Sequence, residues 1–402
     1  MKKSILILCI NLSFLSVFSQ SVTKSMKRLP DTGQNTSYTA TFGEDNDYTI
    51  NTPFFINNGD GTVTDTVTGL IWQKTDGGEM TFENALIYCD SLTLGGKNDW
   101  RLPNAYESFS ILNHQNNGPA LNTSIFTKTN AEYWWTSDKQ NNDANKIWVT
   151  NAGGGIGNHL KTETLSAGGT KKFHTRAVRD ATVPKLVQNR LTNNGNATIT
   201  DNLTGLIWEQ ILISNSMTWE QALTYAENLS LAGQNDWRLP NIKELQSLCD
   251  LKITSPCIDN SFFTGININK YWSSTSLPNQ TSKAWYLSTQ FGITTYDDKT
   301  NTNYIICVRG GISGSNSFTS EKKLSSFHIY PNPVKKDLFI INNDSRPFTF
   351  EIFDQMGQTV YLSEPVINSE QFQVNTESLH SGLYYLRLKH GTDCITLKFN
   401  VQ

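Results

Sequence analysis

Four pairs of carboxylates recur along the chain at nearly constant spacing: Asp65 and Asp201, Glu83 and Glu220, Asp99 and Asp236, Glu107 and Glu244. Paired carboxylates are the machinery of glycoside hydrolysis, where one protonates the leaving oxygen and the other attacks or activates water. Two of these pairs have competing duties. Glu107 and Glu244 stand three residues after Asn104 and Asn241, where a glutamate closes a helix capping box. Asp99 and Asp236 adjoin Trp100-Arg101 and Trp237-Arg238. Structural use is the expectation, with Arg101 and Arg238 holding loops through rigid bidentate contacts to carboxylates or carbonyls. No residue is assigned a catalytic role.

A histidine-based hydrolase needs its imidazole beside a nucleophile. His114, His159 and His174 have no counterparts between residues 187 and 312, a stretch without histidine, and are read as solvated loop residues. The chain holds no His-Glu-x-x-His, Cys-x-x-Cys, Walker or dinucleotide fingerprint, so no cofactor and no metal is expected. Asn58, Asp60, Thr62 and Asp65 offer alternating oxygens of the kind calcium takes. Asn196 and Ala197 replace Asp60 and Gly61 in the second occurrence, so a hairpin turn is the better reading. Gly153-Gly154-Gly155 reads as a flexible turn.

Of six cysteines, Cys9 lies in the leader and five remain. Cys249 and Cys257 are close enough to bridge a small loop in an oxidising compartment, worth roughly 2 to 3 kcal/mol. Cys89 and Cys307 are expected to be free unless the two halves of the repeat pack head to head. The pairing of Cys394 is left open.

The elements that carry these residues come in two copies. NNGDGTVTDTVTGLIW (57–72) matches NNGNATITDNLTGLIW (193–208), and MTFENALIYCDSLTLGGKNDWRLPN (80–104) matches MTWEQALTYAENLSLAGQNDWRLPN (217–241). Trp135 meets Trp272, Trp148 meets Trp285, and AVR (177–179) meets CVR (307–309). Each copy reads as α+β: a hairpin and the buried strand TGLIW, a helix after Thr81 or Thr218, and a second helix after Asn104 or Asn241. Strands joined by long loops follow. Gly95 and Gly233 are read as the exits of the first helices. The boundaries are a signal peptide at 1–19, an N-terminal segment of unassigned fold at 20–51, copies at 52–180 and 187–312, a linker at 313–326 and a terminal domain at 327–402. Met1-Lys2-Lys3 before a short apolar run, with Val17 and Ser19 near its end, marks the signal peptide.

GTVTDTVTGLIW, NDWRLPN, Tyr271-Trp272-Ser273-Ser274-Thr275 and CVRGG (307–311) together resemble the Lcl C-terminal-like domain family. Its members are related to C-type-lectin-like and sulfatase-modifying folds with a Trp-Arg-Leu-Pro segment. The resemblance implies two tandem C-type-lectin-like domains on a bacterial surface protein, adhering to glycans. Relatives often carry one cysteine in the first helix and one in the terminal strand; Cys89 faces Ala177 and Cys307 faces Ala226, half a pair in each copy. No cysteine pair shared by both copies supports a formylglycine-generating type of oxidase. Tyr330-Pro331-Asn332-Pro333, Asp337-Leu338-Phe339-Ile340 and Ser381-Gly382-Leu383-Tyr384-Tyr385-Leu386 resemble the type A C-terminal sorting domain of type IX secretion. That resemblance implies an Ig-like all-β sandwich, the type IX machinery as partner, and a passenger released or held at the outer cell surface.

Charge narrows the ligand. The chain carries 33 Lys+Arg and 36 Asp+Glu, a net −3. That balance offers no bulk attraction to nucleic acid, and no later segment is apolar enough to span a bilayer. Counted separately, copy one has 11 basic and 13 acidic residues and copy two has 8 and 10, each −2. Neutral glycans therefore fit better than sulfated polyanions, although a local patch such as Lys171-Lys172 would defeat that average. All ten tryptophans lie between Trp72 and Trp285. Trp134, Tyr271, Trp272 and Tyr286 are the candidate sugar platforms, although such rings suit cores equally. Trp100, Arg101, Trp237, Arg238, Arg179 and Arg309 are structural candidates. The leading expectation is a non-enzymatic adhesin for an extracellular glycan or surface protein. A secreted glycan-active hydrolase and a surface-coat spacer are the alternatives.

Overall fold

Asn/Asp/Gly chemistry at 57–61 and 193–197 turns the chain sharply, and the TGLIW segment that follows pairs back as a strand. In the computed structural model, which describes residues 22–163, 172–310, 327–342, 348–354, 358–363, 366, 371–390 and 393–402, copy one builds a four-stranded antiparallel sheet. Its order is Phe55–Asn57, Thr62–Asp65, Leu70–Gln73, Val178–Asp180. Copy two repeats that order with Leu191–Asn193, Thr198–Asp201, Ile207–Glu209 and Val308–Arg309. The last strand of each copy thus returns beside its third and closes the copy on itself. The signal peptide, the 313–326 linker, Lys171 and the Cys394 side chain lie outside what is described.

The turn oxygens bond one another. Asn58 Nδ2 donates to Thr62 and Thr64, and Thr62 Oγ1 donates to Asp60 Oδ1 at 2.6 Å. Asn194 and Asn196 reproduce the pattern with Thr198 and Thr200. This is the hairpin turn expected from sequence.

Each copy inserts two helices after its first sheet: α1 (Phe82–Ser91) and α2 (Ala105–Ser110), then α3 (Trp219–Glu227) and α4 (Ile242–Leu248). Capping chemistry starts them. Thr81 accepts from the Asn84 N–H, Thr218 and Gln221 form a capping box, and so do Asn104 with Glu107 and Asn241 with Glu244. Gly95 and Gly233 are not the helix exits, since α1 and α3 end earlier. They sit at φ +59° and +73° inside the tight turns Leu94–Lys97 and Leu231–Gln234, a region glycine enters freely. The carbonyls of those turns accept the indole N–H groups of Trp100 and Trp237.

A second sheet completes each copy. In copy one its order is Ile156–Leu160, Asp143–Asn151, Tyr133–Gln140, Phe173–His174, and in copy two Lys270–Ser276, Lys283–Ser288, Ile293–Asp298. The parallel pairing of Trp134 with His174 survives in copy two as a single bridge between Tyr271 and Tyr304.

The copies are fused through one apolar core that contains Trp72, Phe109 and Trp148 from the first and Trp208, Leu245 and Trp285 from the second. Gly153-Gly154-Gly155 belongs to this joint and is not merely a flexible turn. Gly154 has φ +101°, and a Cβ there would lie 3.2 Å from Trp285; a Cβ on Gly155 would lie 3.0 Å from the Thr294 carbonyl.

The N-terminal segment straps this unit. Val22–Lys24 pairs with Lys185–Val187 between the copies. The Thr32 carbonyl accepts from the His114 N–H, and the Asp31 carbonyl accepts from Lys243 Nζ at 2.7 Å. Farther along, Asp45 accepts from Thr32 and from Thr275 of copy two. In copy one the counterpart of Thr275 is Asp138, whose own carboxylate accepts the first N–H of α2. The strap thus brings to copy two a carboxylate that copy one encodes internally.

Residues 1–313 and 314–402 are separate compact units. The terminal unit has two antiparallel sheets, Phe327–Tyr330/Asp337–Asn342/Gln371–Asn375 and Thr359–Leu362/Thr349–Phe353/Gly382–His390/Asp393–Val401. Leu338, Ile340, Phe350, Ile352, Leu386 and Phe399 form its core. Over the described chain, strand outweighs helix and is spread over several small sheets.

Candidate functional site

The recurring Arg–Glu pairs share one geometry in the two copies, while Arg101 also chelates Asp180 and Arg238 instead donates to the Gly310 carbonyl. Arg101 grips Glu107 at 2.7 and 2.8 Å, and Arg238 grips Glu244 at 2.6 and 2.6 Å. The same glutamates accept the N–H groups of Asn104 and Asn241. One carboxylate thus caps a helix and anchors the Trp-Arg strand to it. Arg179 and Arg309 each chelate the aspartate before the tryptophan, Asp99 and Asp236, with shortest contacts of 2.7 Å. Asp65 and Asp201 fold their Oδ1 atoms onto the backbone N–H groups two residues on. Burial pushes both carboxyls above the ordinary aspartate value.

All four candidate sugar platforms are interior. Trp134 is 4 % exposed, Tyr271 and Trp272 are fully buried and Tyr286 is 9 % exposed, so none offers a face to a sugar ring. Trp134 Nε1 donates to Asp76, Trp272 Nε1 to the Met217 carbonyl, and Tyr271 Oη to Asn267. Tyr286 lies under Lys270 Nζ, 4.9 Å from the ring centre.

The histidines are not solvated either. His114 is buried, with Nε2 against the Gly154 carbonyl, and burial lowers its pKa to about 3. His159 packs on Tyr133 and pairs with Glu163. His174 is buried, with Nδ1 2.8 Å from Asp76, an aspartate the sequence reading passed over. Burial pushes the Asp76 carboxyl up, but His174, the Arg176 charge, Thr129 and Trp134 outweigh it and hold it at about 2. A hydrolytic triad would place a hydroxyl at His174 Nε2, and among the described residues that nitrogen has no partner.

Cys249 and Cys257 lie side by side and fully buried, but as free thiols, so the expected bridge is not formed. The Asp250 N–H to Cys257 carbonyl bond (2.6 Å) holds the backbones together, and burial pushes the Cys249 thiol well above its ordinary pKa. Cys89 and Cys307 are also free, each in the separate core of its own copy.

In the terminal unit, Tyr330 stacks on Phe339 at the start of the Tyr330-Pro331-Asn332-Pro333 run. Asn332 accepts the Asn400 N–H at 2.9 Å, and Val334 bridges to Val401, so the motif is tied to the last strand.

A small cleft of the first unit, with a volume of about 60 Å³, lies where the strap, α2, α4 and the Leu203-Thr204 turn meet. The helices α2 and α4 are repeat counterparts, yet they line the cleft with different chemistry. Tyr106 and Phe109 face it from copy one where copy two has Lys243 and Gln246. Lys24, Met26 and Arg28 come from the strap, and no carboxylate lines the cleft. Tyr106 Oη donates to the Cys249 carbonyl at 2.6 Å, which fixes the wall across the joint. Lys243 Nζ donates to Asp31 and Ser110 carbonyls, and burial lowers its pKa to about 8. A cleft between unlike walls was not legible in sequence, because it exists only once the copies are fused and strapped.

Two family models match the chain. The Lcl C-terminal domain matches residues 61–179 and 197–309, and the secretion system C-terminal sorting domain matches 328–402. No curated protein matches. The sorting domain indicates export to the outer cell surface or the medium. Among the described residues no helix is long and apolar enough to cross a membrane.

Proposed function

We propose that this chain, which belongs to the Lcl C-terminal domain family, is a non-enzymatic binding protein of the cell surface that recognises glycans at the joint of its two repeats. The observation that carries the reading is the cleft itself. It is concave, walled by aromatic and aliphatic side chains, set between two packed repeats, and fitted with a few convergent polar groups, as small-ligand seats usually are. A binding role rather than hydrolysis is supported by the recurring pairs Asp99/Asp236 and Glu107/Glu244, whose oxygens are committed to arginines and helix caps, while Glu220 accepts from Thr39 of the strap. None of them lines the cleft as an acid/base pair.

The same reading takes each repeat as C-type-lectin-like and the tail as Ig-like. It is supported by the first and last strands of each copy sharing a sheet, and by the tail's two sheets around one core. The type IX machinery is the partner that the sorting domain implies. Probing a glycan array with the full mature chain tests the proposal. Reproducible saccharide binding is expected, whereas silence across neutral and acidic glycans would favour a spacer or a protein ligand.

A further inference from the structure

We propose that the Asn117-Gly118 step is a self-modifying site, where the asparagine converts to isoaspartate and thereby loosens the loop that clamps the strap. The tripeptide Asn-Asn-Gly occurs three times, at 57–59, 116–118 and 193–195. Each carries the same intrinsic chemistry. The glycine nitrogen attacks Cγ of the asparagine before it, and glycine has no side chain to obstruct the approach. The N–Cγ bond forms, the Cγ–Nδ2 bond breaks, and ammonia leaves with the glycine proton. Water then opens the five-membered imide. Opening at the Cγ carbonyl gives aspartate, and opening at the main-chain carbonyl gives isoaspartate, whose backbone runs through Cβ and Cγ and is one carbon longer.

Two of the three steps are locked. Gly59 and Gly195 donate their N–H groups to Asn57 and Asn193 Oδ1 at 3.2 and 2.9 Å, which ties up the attacking nitrogen. The amide to be expelled is tied as well. Asn58 Nδ2 donates to Thr62 and Thr64, and Asn194 Nδ2 to Thr198 and Thr200. Thr64 and Thr200 return a bond to the Oδ1 atoms of the same asparagines. Cyclisation has to break these contacts first, which slows it by about tenfold or more.

The third step is open. Asn117 and Gly118 are exposed, Gly118 has φ +67°, and a Cβ there would meet nothing within 4 Å. Among the described residues, neither the Asn117 amide nor the Gly118 N–H has a hydrogen-bond partner. The loop around it holds the strap. The His114 N–H donates to the Thr32 carbonyl, while Gln115 accepts from the Asn35 N–H at 2.9 Å and donates to Tyr38 Oη at 2.8 Å. Asn116 Nδ2 ties the same loop to the Leu121 carbonyl at 2.7 Å. An extra main-chain carbon and a new carboxylate at position 117 therefore enter inside this clamp.

The test ages the full mature chain in mildly alkaline buffer, native and in denaturant, and maps the three peptides by mass and by isoaspartate-specific methylation. Rates in denaturant give each step its unhindered reference. Relative to that reference, native Asn117 is expected to convert about tenfold or more faster than Asn58 or Asn194. Hydrogen exchange at residues 32–38 then rises in aged wild type and stays level in aged Asn117→Gln, whose longer side chain closes its ring far more slowly. Equal native protection at the three steps, or Asn58 or Asn194 converting first, overturns the site. Conversion at Asn117 with unchanged exchange at 32–38 overturns the loosened clamp.

Discussion

Arg238 and Glu244 face each other through two parallel contacts of 2.6 Å, both side chains 2 % exposed. Truncating the arginine leaves a buried carboxylate without its counter-charge, which typically costs about 3 to 5 kcal/mol. Arg238→Ala is therefore expected to unfold at markedly lower denaturant. Arg101→Ala is expected to lose less, because the Arg101 side chain is 36 % exposed and water screens its pair. A stable Arg238→Ala protein with a selective loss of ligand binding would contradict the structural role.

The strap supplies Asp45 to copy two through Thr275, and burial raises the carboxyl well above its ordinary value. An asparagine in its place keeps an oxygen to which both threonine hydroxyls can donate. Asp45→Asn is expected to be mild, while Asp45→Ala removes the acceptor of the Thr32 and Thr275 hydroxyl protons and costs about 2 kcal/mol. Thermal unfolding of the two variants checks this, and equal losses would argue against the hydroxyl partners.

Glu209 sets a pH dependence. Desolvation raises its pKa from 4.5 to about 7, with the Cys307 N–H opposing. The folded state therefore keeps a proton that the unfolded chain has released. Its contribution is full below the unfolded value, declines upward, and is lost as pH rises through about 7. The counterpart in copy one is Gln73, which accepts the Ala177 N–H in the same way. Glu209→Gln is expected to stabilise at pH 8, by up to about 3 kcal/mol, and to do little at pH 5. Melting curves at the two pH values decide it; a pH-independent difference would refute the assignment.

The joint between copies depends on Gly154, which combines φ +101° with Trp285 at 3.2 Å from a notional Cβ. Gly154→Ala is expected to cost about 1 to 3 kcal/mol. Gly157→Ala, where nothing lies within 4 Å, is the neutral control. Equal denaturation midpoints would show that the joint tolerates the extra carbon.

Local chemistry was the legible part. The capping glutamates, the Asn/Asp/Gly turns and the Arg101 and Arg238 anchors follow from residue type and short spacing. They appear as expected because their partners lie within a few residues or in the matched strand. Burial was harder to read. Trp134, Tyr271 and the histidines could be solvent-facing or interior on sequence grounds, and the deciding contacts come from the other copy or from distant loops, as with His114 against Trp285. The strap was illegible because its order derives from bonds such as Asp45 to Thr275, which no local pattern announces. The cleft inherits that problem, since its walls come from four separated segments.

The central claim is glycan binding without turnover at the inter-repeat cleft. Incubating the full mature chain with end-labelled polysaccharides, and following sedimentation with bound label and product chain length together, tests it most directly. The account predicts that label sediments with the protein and that chain length does not change. Shortened chains, or label left in solution, would contradict it.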